Sequence, residues 1–191
     1  MVQQTTLLTS PKDFDRVSDY SSLRIIRAFP LKFLRKTNFL NEIEVRYSVQ
    51  SAKGWNNIGL LKKEFPKIKF DKTRSFYHSL ESSRAFLTDH IGTSFLEALQ
   101  FNIPSLVFLN KDTCSFRDEF DLYFKELIKC KVIFYDPEEC SCFLNEVYNN
   151  IDDWWSASTF QKLRSEVCDN YAYTSDKWYQ IWTTTLKKLH S

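Results

Sequence analysis

Glycine is scarce in this chain, with three among 191 residues. Each one therefore marks a place where the backbone needs it. An excess of charge of one sign is missing too: 26 basic and 24 acidic side chains leave a formal net charge of +2. Nucleic acid requires a concentrated basic face, so no nucleic-acid partner is expected. No apolar run approaches the roughly 20 residues that cross a bilayer, so no transmembrane segment is expected. The opening Met1-Val2-Gln3-Gln4-Thr5-Thr6 has neither a charged n-region nor a long apolar h-region and does not read as a signal peptide. A cytoplasmic location is the expectation, with a peripheral place at the inner face of the membrane as its variant. Five cysteines (Cys114, Cys130, Cys140, Cys142 and Cys168) make an odd count at irregular spacing, which argues against a disulfide framework. Cys140-x-Cys142 has neither the usual zinc nor redox spacing, and no second pair or nearby histidine, so no metal or cofactor is expected.

What is present is a core and an alternating pattern. Hydrophobic residues make up 43% and aromatics 16%, the latter clustering toward the C-terminus. The length fits one domain. Thr5 to Thr9 reads as a strand ended by Ser10-Pro11. Leu23 to Asn41 is helical with an interruption at Pro30. Glu44 to Val49 is a strand, Ile58 to Phe65 a helix, Ile68 to Phe70 a short strand and Phe76 to Ser83 a helix. Ala85 to Asp89 is a strand, His90-Ile91-Gly92 a turn, and Thr93 to Phe101 a helix with Phe95, Leu96 and Leu99 facing a sheet. Ser105 to Leu109 is a buried strand, Phe116 to Ile128 a helix and Val132 to Tyr135 the last strand. After Pro137 the chain reads as helical to its end, with a break near Trp154-Trp155.

Strands alternating with helices imply βαβ crossovers and a parallel sheet covered on both faces. The expected fold is α/β: a Rossmann-like, doubly wound parallel sheet of about six strands over residues 1–150, with a C-terminal helical extension, residues 151–191, packing on it.

In such a sheet, ligands bind outside the carboxyl ends of the strands. The run Thr88-Asp89-His90-Ile91-Gly92-Thr93-Ser94-Phe95-Leu96-Glu97 sits at one. Gly92 would allow a tight turn and Thr93 or Ser94 would cap the helix. The free N–H groups of its first turn suit a phosphate or pyrophosphate. Glu97, a turn further in, suits a sugar or ribose hydroxyl. The plainer alternative is a capped helix and nothing more, with Glu97 near capping-box spacing and His90 a loop residue bonded to backbone. Asp89 orders His90 or caps a turn.

The run from Asp89 to Phe108 resembles the signature of the LIC-type transferase family of bacterial surface-carbohydrate loci. More distantly it is similar to the donor-site loop and helix of GT-B glycosyltransferases, in which a Gly/Ser/Thr turn holds the donor phosphates and a helix Glu binds ribose. The resemblance implies those roles for Gly92, Thr93, Ser94 and Glu97. It extends to Glu44-Val45-Arg46-Tyr47 with Lys53-Gly54-Trp55, to Ile68-Lys69-Phe70-Asp71, to Phe116-Arg117-Asp118 with Tyr123-Phe124, and to Ile151-Asp152-Asp153-Trp154-Trp155 with Tyr171-Ala172 and Trp178. Two departures stand out. Gln50 to Lys53 lacks the acidic residue expected before Gly54-Trp55. The chain also reads as the donor-binding, C-terminal half only, which implies an N-terminal acceptor domain or partner chain supplying the acceptor site.

Arg46, near the carboxyl end of its strand, and Arg117, opening the helix after the fifth strand, are on the ligand side and suit bidentate phosphate contacts; surface salt bridges are the alternative for each. The donor-binding set is therefore Arg46, His90, Gly92, Thr93, Ser94, Glu97 and Arg117, with no catalytic base identified. Trp154 and Trp155 read as packing anchors, and Tyr171, Trp178 and Trp182 as a stripe that another domain would cover. The expected function is transfer of a sugar or related group from a nucleotide-activated donor to a surface glycan. The alternative is a non-catalytic or truncated binding subunit that needs a second chain. A dinucleotide oxidoreductase ranks below both, since Ser10-Pro11-Lys12-Asp13 is not a Gly-x-Gly-x-x-Gly turn.

Overall fold

The structure, a computed structural model, describes residues 4–9, 31–47, 58–71, 75–112, 114, 116 and 118–189, without the side chains of 4–9, 47, 119 and 121. The Ser10-Pro11 stop, the first part of the Leu23 to Asn41 helix, the Gly54-Trp55 loop and Arg117 lie outside the described residues.

Apolar runs become strands where both faces can be covered. The strands are β1 (Gln4–Thr9), β2 (Ile43–Tyr47), β3 (Lys69–Phe70), β4 (Ser83–Thr88), β5 (Ser105–Phe108) and β6 (Ile133–Phe134). They form one sheet in the order β3-β2-β1-β4-β5-β6, each neighbouring pair parallel. From β1 the chain winds one way to β3, then returns to β4 beside β1 and winds the other way. The direction of winding reverses between β1 and β4, which is where doubly wound sheets take ligands.

The helices are α1 (residues 31–36), α2 (Ile58–Glu64), α3 (Phe76–Glu81), α4 (Thr93–Gln100), α5 (Asp118–Lys129), α6 (Pro137–Val147), α7 (Ile151–Trp155), α8 (Ser158–Tyr171) and α9 (Trp178–Leu189). Because side chains alternate along a strand, the sheet divides the core in two. Ile43, Val45, Ala85, Leu87, Leu106 and Phe108 face α1, α2 and α6. Phe86, Val107 and Ile133 face α3, α4, α5, α7 and α8. β5 is buried on both sides, and β4 nearly throughout, which is why β5 reads as an unbroken apolar run.

Several boundaries differ from the sequence reading. The third helix stops at Glu81, because Ser83 pairs with Gln4 and donates its hydroxyl to the Ser79 carbonyl at 2.5 Å. The last strand is only Ile133–Phe134, since Tyr135 turns outward and Asp136 accepts the Glu138 N–H at 2.8 Å to cap α6. Besides the break after Trp155 there is a second, at residues 172–177, before α9.

Glycine does not do what its scarcity suggests. Neither described glycine has a positive φ; the two left-handed residues are Asn102 (φ 56) and Lys131 (φ 61). Each follows a helix and closes it in the same way. Asn102 N–H bonds to Leu99 O and Ile103 N–H to Ala98 O, both at 3.0 Å; Lys131 N–H and Val132 N–H do the same at α5, at 3.0 and 2.9 Å. This is the paired C-terminal bonding that normally recruits glycine.

Trp155 is 4% exposed and joins Phe160, Val167 and Cys168 in closing the second core. Its indole N–H reaches Asn102 O at 3.0 Å, and that of Trp154 reaches Cys130 O at 3.1 Å. These indoles are packing anchors with satisfied donors. The buried residues of the extension lie on α7 and α8, and α9 carries none. No helix among the described residues is long and apolar enough to cross a membrane.

Candidate functional site

β4 runs apolar through Ala85, Phe86 and Leu87 and ends on Thr88, fully buried at the sheet's carboxyl end. Thr88 stands level with Leu8 of β1 and Val107 of β5. Its hydroxyl donates to His90 O at 3.2 Å and accepts the His90 N–H at 3.4 Å. This folds the chain back over the strand end. The imidazole is held by the same device: Nδ1 lies 3.0 Å from Thr88 Oγ1 and 3.3 Å from Asp89 Oδ1. The two side chains are only 25% and 10% exposed. Asp89 therefore orders His90, and Nε2 is left on the far side of the ring.

That far side meets Gly92. A Cβ on Gly92 would sit 3.0 Å from His90 Nε2 and 3.1 Å from Cδ2. The backbone there is ordinary extended chain, φ −144 and ψ −170. Glycine is needed for the close approach of the ring, and the expected tight turn is not the reason.

Gly92 is itself the N-cap of α4, with no side-chain cap, so Thr93 and Ser94 are the first two helical residues and neither caps. Phe95 and Leu96 N–H bond back to Gly92 O at 3.0 and 3.2 Å. Among the described residues the N–H groups of Thr93 and Ser94 find no acceptor. The capping-box alternative falls with the cap, because the third helical position is Phe95. Glu97 instead accepts a long hydrogen bond, 3.4 Å, from the Tyr77 hydroxyl of α3. The helix mouth is thus polarised positive, uncapped, and flanked by one imidazole.

Arg46 is placed differently. Leu8 lies in register with both Arg46 and Thr88, so the arginine sits two strands from the β4 end, about 10 Å at ordinary strand spacing. Its guanidinium meets Asp71 Oδ2 at 2.5 Å and Ser79 Oγ at 3.0 Å, and Ser79 Oγ donates to the same carboxylate at 2.5 Å. The side chains are 16% and 3% exposed. The surface-salt-bridge alternative fails on burial, and the guanidinium is engaged by the protein's own carboxylate. Glu44, on the same side of β2, has its carboxyl pushed above the usual range, first by burial and then by Asp71, with Lys69 opposing.

Sequence reasoning gives no role to Thr88, Asp71 or Ser79. A polar residue ending an apolar strand is the one local signal that finds Thr88. Nothing local joins Arg46 to residues 25 and 33 positions away. No disulfide joins any of the five cysteines. Burial pushes the Cys130, Cys140 and Cys168 thiols up, so these three are not activated nucleophiles. Among the described residues no group of three His, Cys, Asp or Glu side chains gathers as a metal site.

The LIC12162 family transferase model matches residues 28–186, most of the chain and the whole of this strand-end segment. The chain belongs to the LIC12162 transferase family. Among solved structures, this family member is similar to the catalytic domain of cholesterol-α-glucosyltransferase from Helicobacter pylori, with TM-score 0.41 and 12% identity over 87% of this chain and 97% of that one. It is similar also to the wall teichoic acid polymerase TagF, with TM-score 0.48 and 12% identity over 97% of this chain and 42% of that one. The chain thus spans less than half of TagF. No curated protein matches it.

Proposed function

We propose that this chain is the donor-binding domain of a glycosyltransferase-like enzyme and receives the diphosphate of a nucleotide-activated sugar at the N-terminus of α4. The observation that carries the reading is the uncapped mouth at Gly92, beside the winding reversal of the sheet, with two N–H groups that find no acceptor among the described residues and the His90 ring over it. A dianionic group there gains from the helix dipole and from the first-turn amides. His90, steadied at Nδ1 by Asp89, presents Nε2 to the same anion and donates a hydrogen bond to it when protonated. Stabilising the charge that develops on a leaving nucleoside diphosphate is the chemistry such a mouth supplies.

In this reading Glu97 takes a ribose or sugar hydroxyl, with Tyr77 holding its carboxylate. Arg117 enters on sequence alone as a second cation. Arg46 acts at longer range, through the framework it shares with Asp71. The acceptor site and the catalytic base come from a second domain or chain, and the product is a surface glycan.

The test is nucleoside diphosphate binding by calorimetry, parent against Gly92→Asp. Aspartate is a favoured N-cap and the backbone there is unstrained, so α4 is kept while the aspartate Cβ presses the His90 ring aside and a negative charge fills the mouth. The dissociation constant is expected to rise about tenfold or more, the cost of setting like charges side by side. Equal binding by both proteins would remove the site.

A further inference from the structure

The Thr88 hydroxyl has one proton to give and two lone pairs that accept. It donates to His90 O at 3.2 Å, accepts the His90 N–H at 3.4 Å and lies 3.0 Å from His90 Nδ1. With its proton on the carbonyl, the hydroxyl meets Nδ1 as an acceptor. The other group at Nδ1, Asp89 Oδ1 at 3.3 Å, is a carboxylate oxygen and accepts only. Two acceptors at one ring nitrogen place the imidazole proton there. The neutral ring then carries a bare lone pair on Nε2, the atom that lies against Gly92 at the helix mouth. A diphosphate oxygen arriving there meets one lone pair with another.

We propose that Asp89 is a positioning residue that fixes this tautomer, so that diphosphate binding draws a proton onto His90 Nε2 and makes the cation at the mouth. The inference rests on the donor-site reading and adds its regulation by pH. One proton leaves the solvent, one N–H bond forms at Nε2, and no bond of the ligand breaks. The sign follows from linkage. Where the imidazole is already charged no proton is drawn and affinity is highest; above that range each bound diphosphate must bring one, so affinity falls as pH rises. Without the Asp89 carboxylate the Thr88 hydroxyl can turn its proton to Nδ1, and an Nε2–H ring then meets the anion with no uptake. Among the described residues Asp89 is the charged side chain that touches the imidazole. Glu97, a turn into α4, is bonded to Tyr77. Lys111 and Asp112 follow the neighbouring β5, with Lys111 over the Tyr135 ring. Arg46 and Asp71, two strands away, pair with each other.

The experiment has two arms on the full chain. Nitrogen-15 NMR without ligand, above the imidazole titration, reads the tautomer directly, with His90→Gln assigning the signal among the three histidines. Nδ1–H with a bare Nε2 is expected, and the Nε2–H form overturns the proposal. Calorimetry with ADP, CDP, GDP and UDP in turn, at pH 8 in two buffers of different ionisation heat, then counts protons. The terminal phosphate of each probe titrates near about pH 6 and is ionised here, so the uptake belongs to the protein. About half a proton per diphosphate is expected, with a dissociation constant that rises about fivefold or more from pH 7 to pH 9. His90→Gln, with a neutral amide N–H, should bind with no uptake, and so should Asp89→Leu. Should Asp89→Leu not fold, the parent's tautomer and His90→Gln decide. Parent binding without uptake overturns this inference and leaves the donor site standing. Binding of none of the four probes removes the donor site and the inference with it. Asp89→Leu taking up the proton as the parent does shows that Asp89 does not fix the ring, and overturns the proposal equally.

Discussion

A strand-end arginine has two possible employers, a ligand or the protein itself, and for Arg46 the protein's claim is visible. Its contacts to Asp71 and Ser79 hold β2, the end of β3 and α3 together. Removing the cation would take its Arg46 contact from the 3%-exposed Asp71 carboxylate. Arg46→Ala should therefore lower stability by about 3 kcal/mol in urea unfolding. Arg46→Met with Asp71→Asn should recover most of the loss, because both charges leave together. If instead Arg46→Ala unfolds with the parent and only ligand affinity drops, the residue is a phosphate clamp and the framework role is wrong. At this same scale, the sequence pointed to His90 and Gly92 as neighbours of a strand end. That the glycine exists to admit the imidazole could not be read from it, because the reason is a contact between two side-chain positions and not a backbone angle.

Among the elements, α4 is the piece on which the site rests, and both its ends are unusual. Its N-terminus is open at Gly92. Its C-terminus is closed by a left-handed Asn102, which also accepts the indole N–H of Trp155 at 2.9 Å and the Gln161 amide at 3.1 Å through its side chain. Arg164 adds a bond to Leu99 O at 2.8 Å. α7 and α8 thus grip the far end of the helix whose near end is the mouth. Asn102→Ala should cost about 1 kcal/mol more than Asn102→Gly, the difference being the left-handed backbone that a Cβ disfavours. By the same argument Lys131→Gly should raise stability by about 0.5–1 kcal/mol, since its exposed ion pair with Glu139 contributes little. Chemical denaturation of the three variants decides both; Asn102→Ala and Asn102→Gly unfolding together would show that the conformation is not what the asparagine supplies. The helix itself was legible from the spacing of Phe95 and Leu99. Its cap was not, because Thr93 and Ser94 suit the N-cap as well as Gly92 does until the turn before them is built.

For the whole molecule the question is how much chain the sheet needs. The second core is incomplete without Trp155, Phe160, Val167 and Cys168, whereas nothing on α9 is buried. We expect a chain ended after Thr174 to melt within a few degrees of the parent, and one ended after Asn150 not to fold cooperatively. Loss of Trp155 alone removes about 3–5 kcal/mol, comparable to the stability of many domains. Calorimetric unfolding of the two truncations checks this. Loss of the cooperative transition in the longer one would mean that α9 packs on the body after all.

The sequence by itself determined the α/β class, the parallel sheet and the strand-end segment around His90 and Gly92, because alternating apolar runs and helical periodicity are local patterns that only covered βαβ units satisfy. It also marked the C-terminal aromatics. It sorted them too, Trp154 and Trp155 as packing anchors and Trp178 and Trp182 as an outer stripe, and the structure places them so: Trp155 is buried, Trp154 packs partly buried, and Trp178 and Trp182 are exposed. The tertiary structure alone decided that Arg46 answers to Asp71, that Glu97 meets Tyr77 and that left-handed positions fall to Asn102 and Lys131. Each of those depends on residues far apart in the chain arriving at one place, and on burial then making an unpaired charge or polar group too costly to leave.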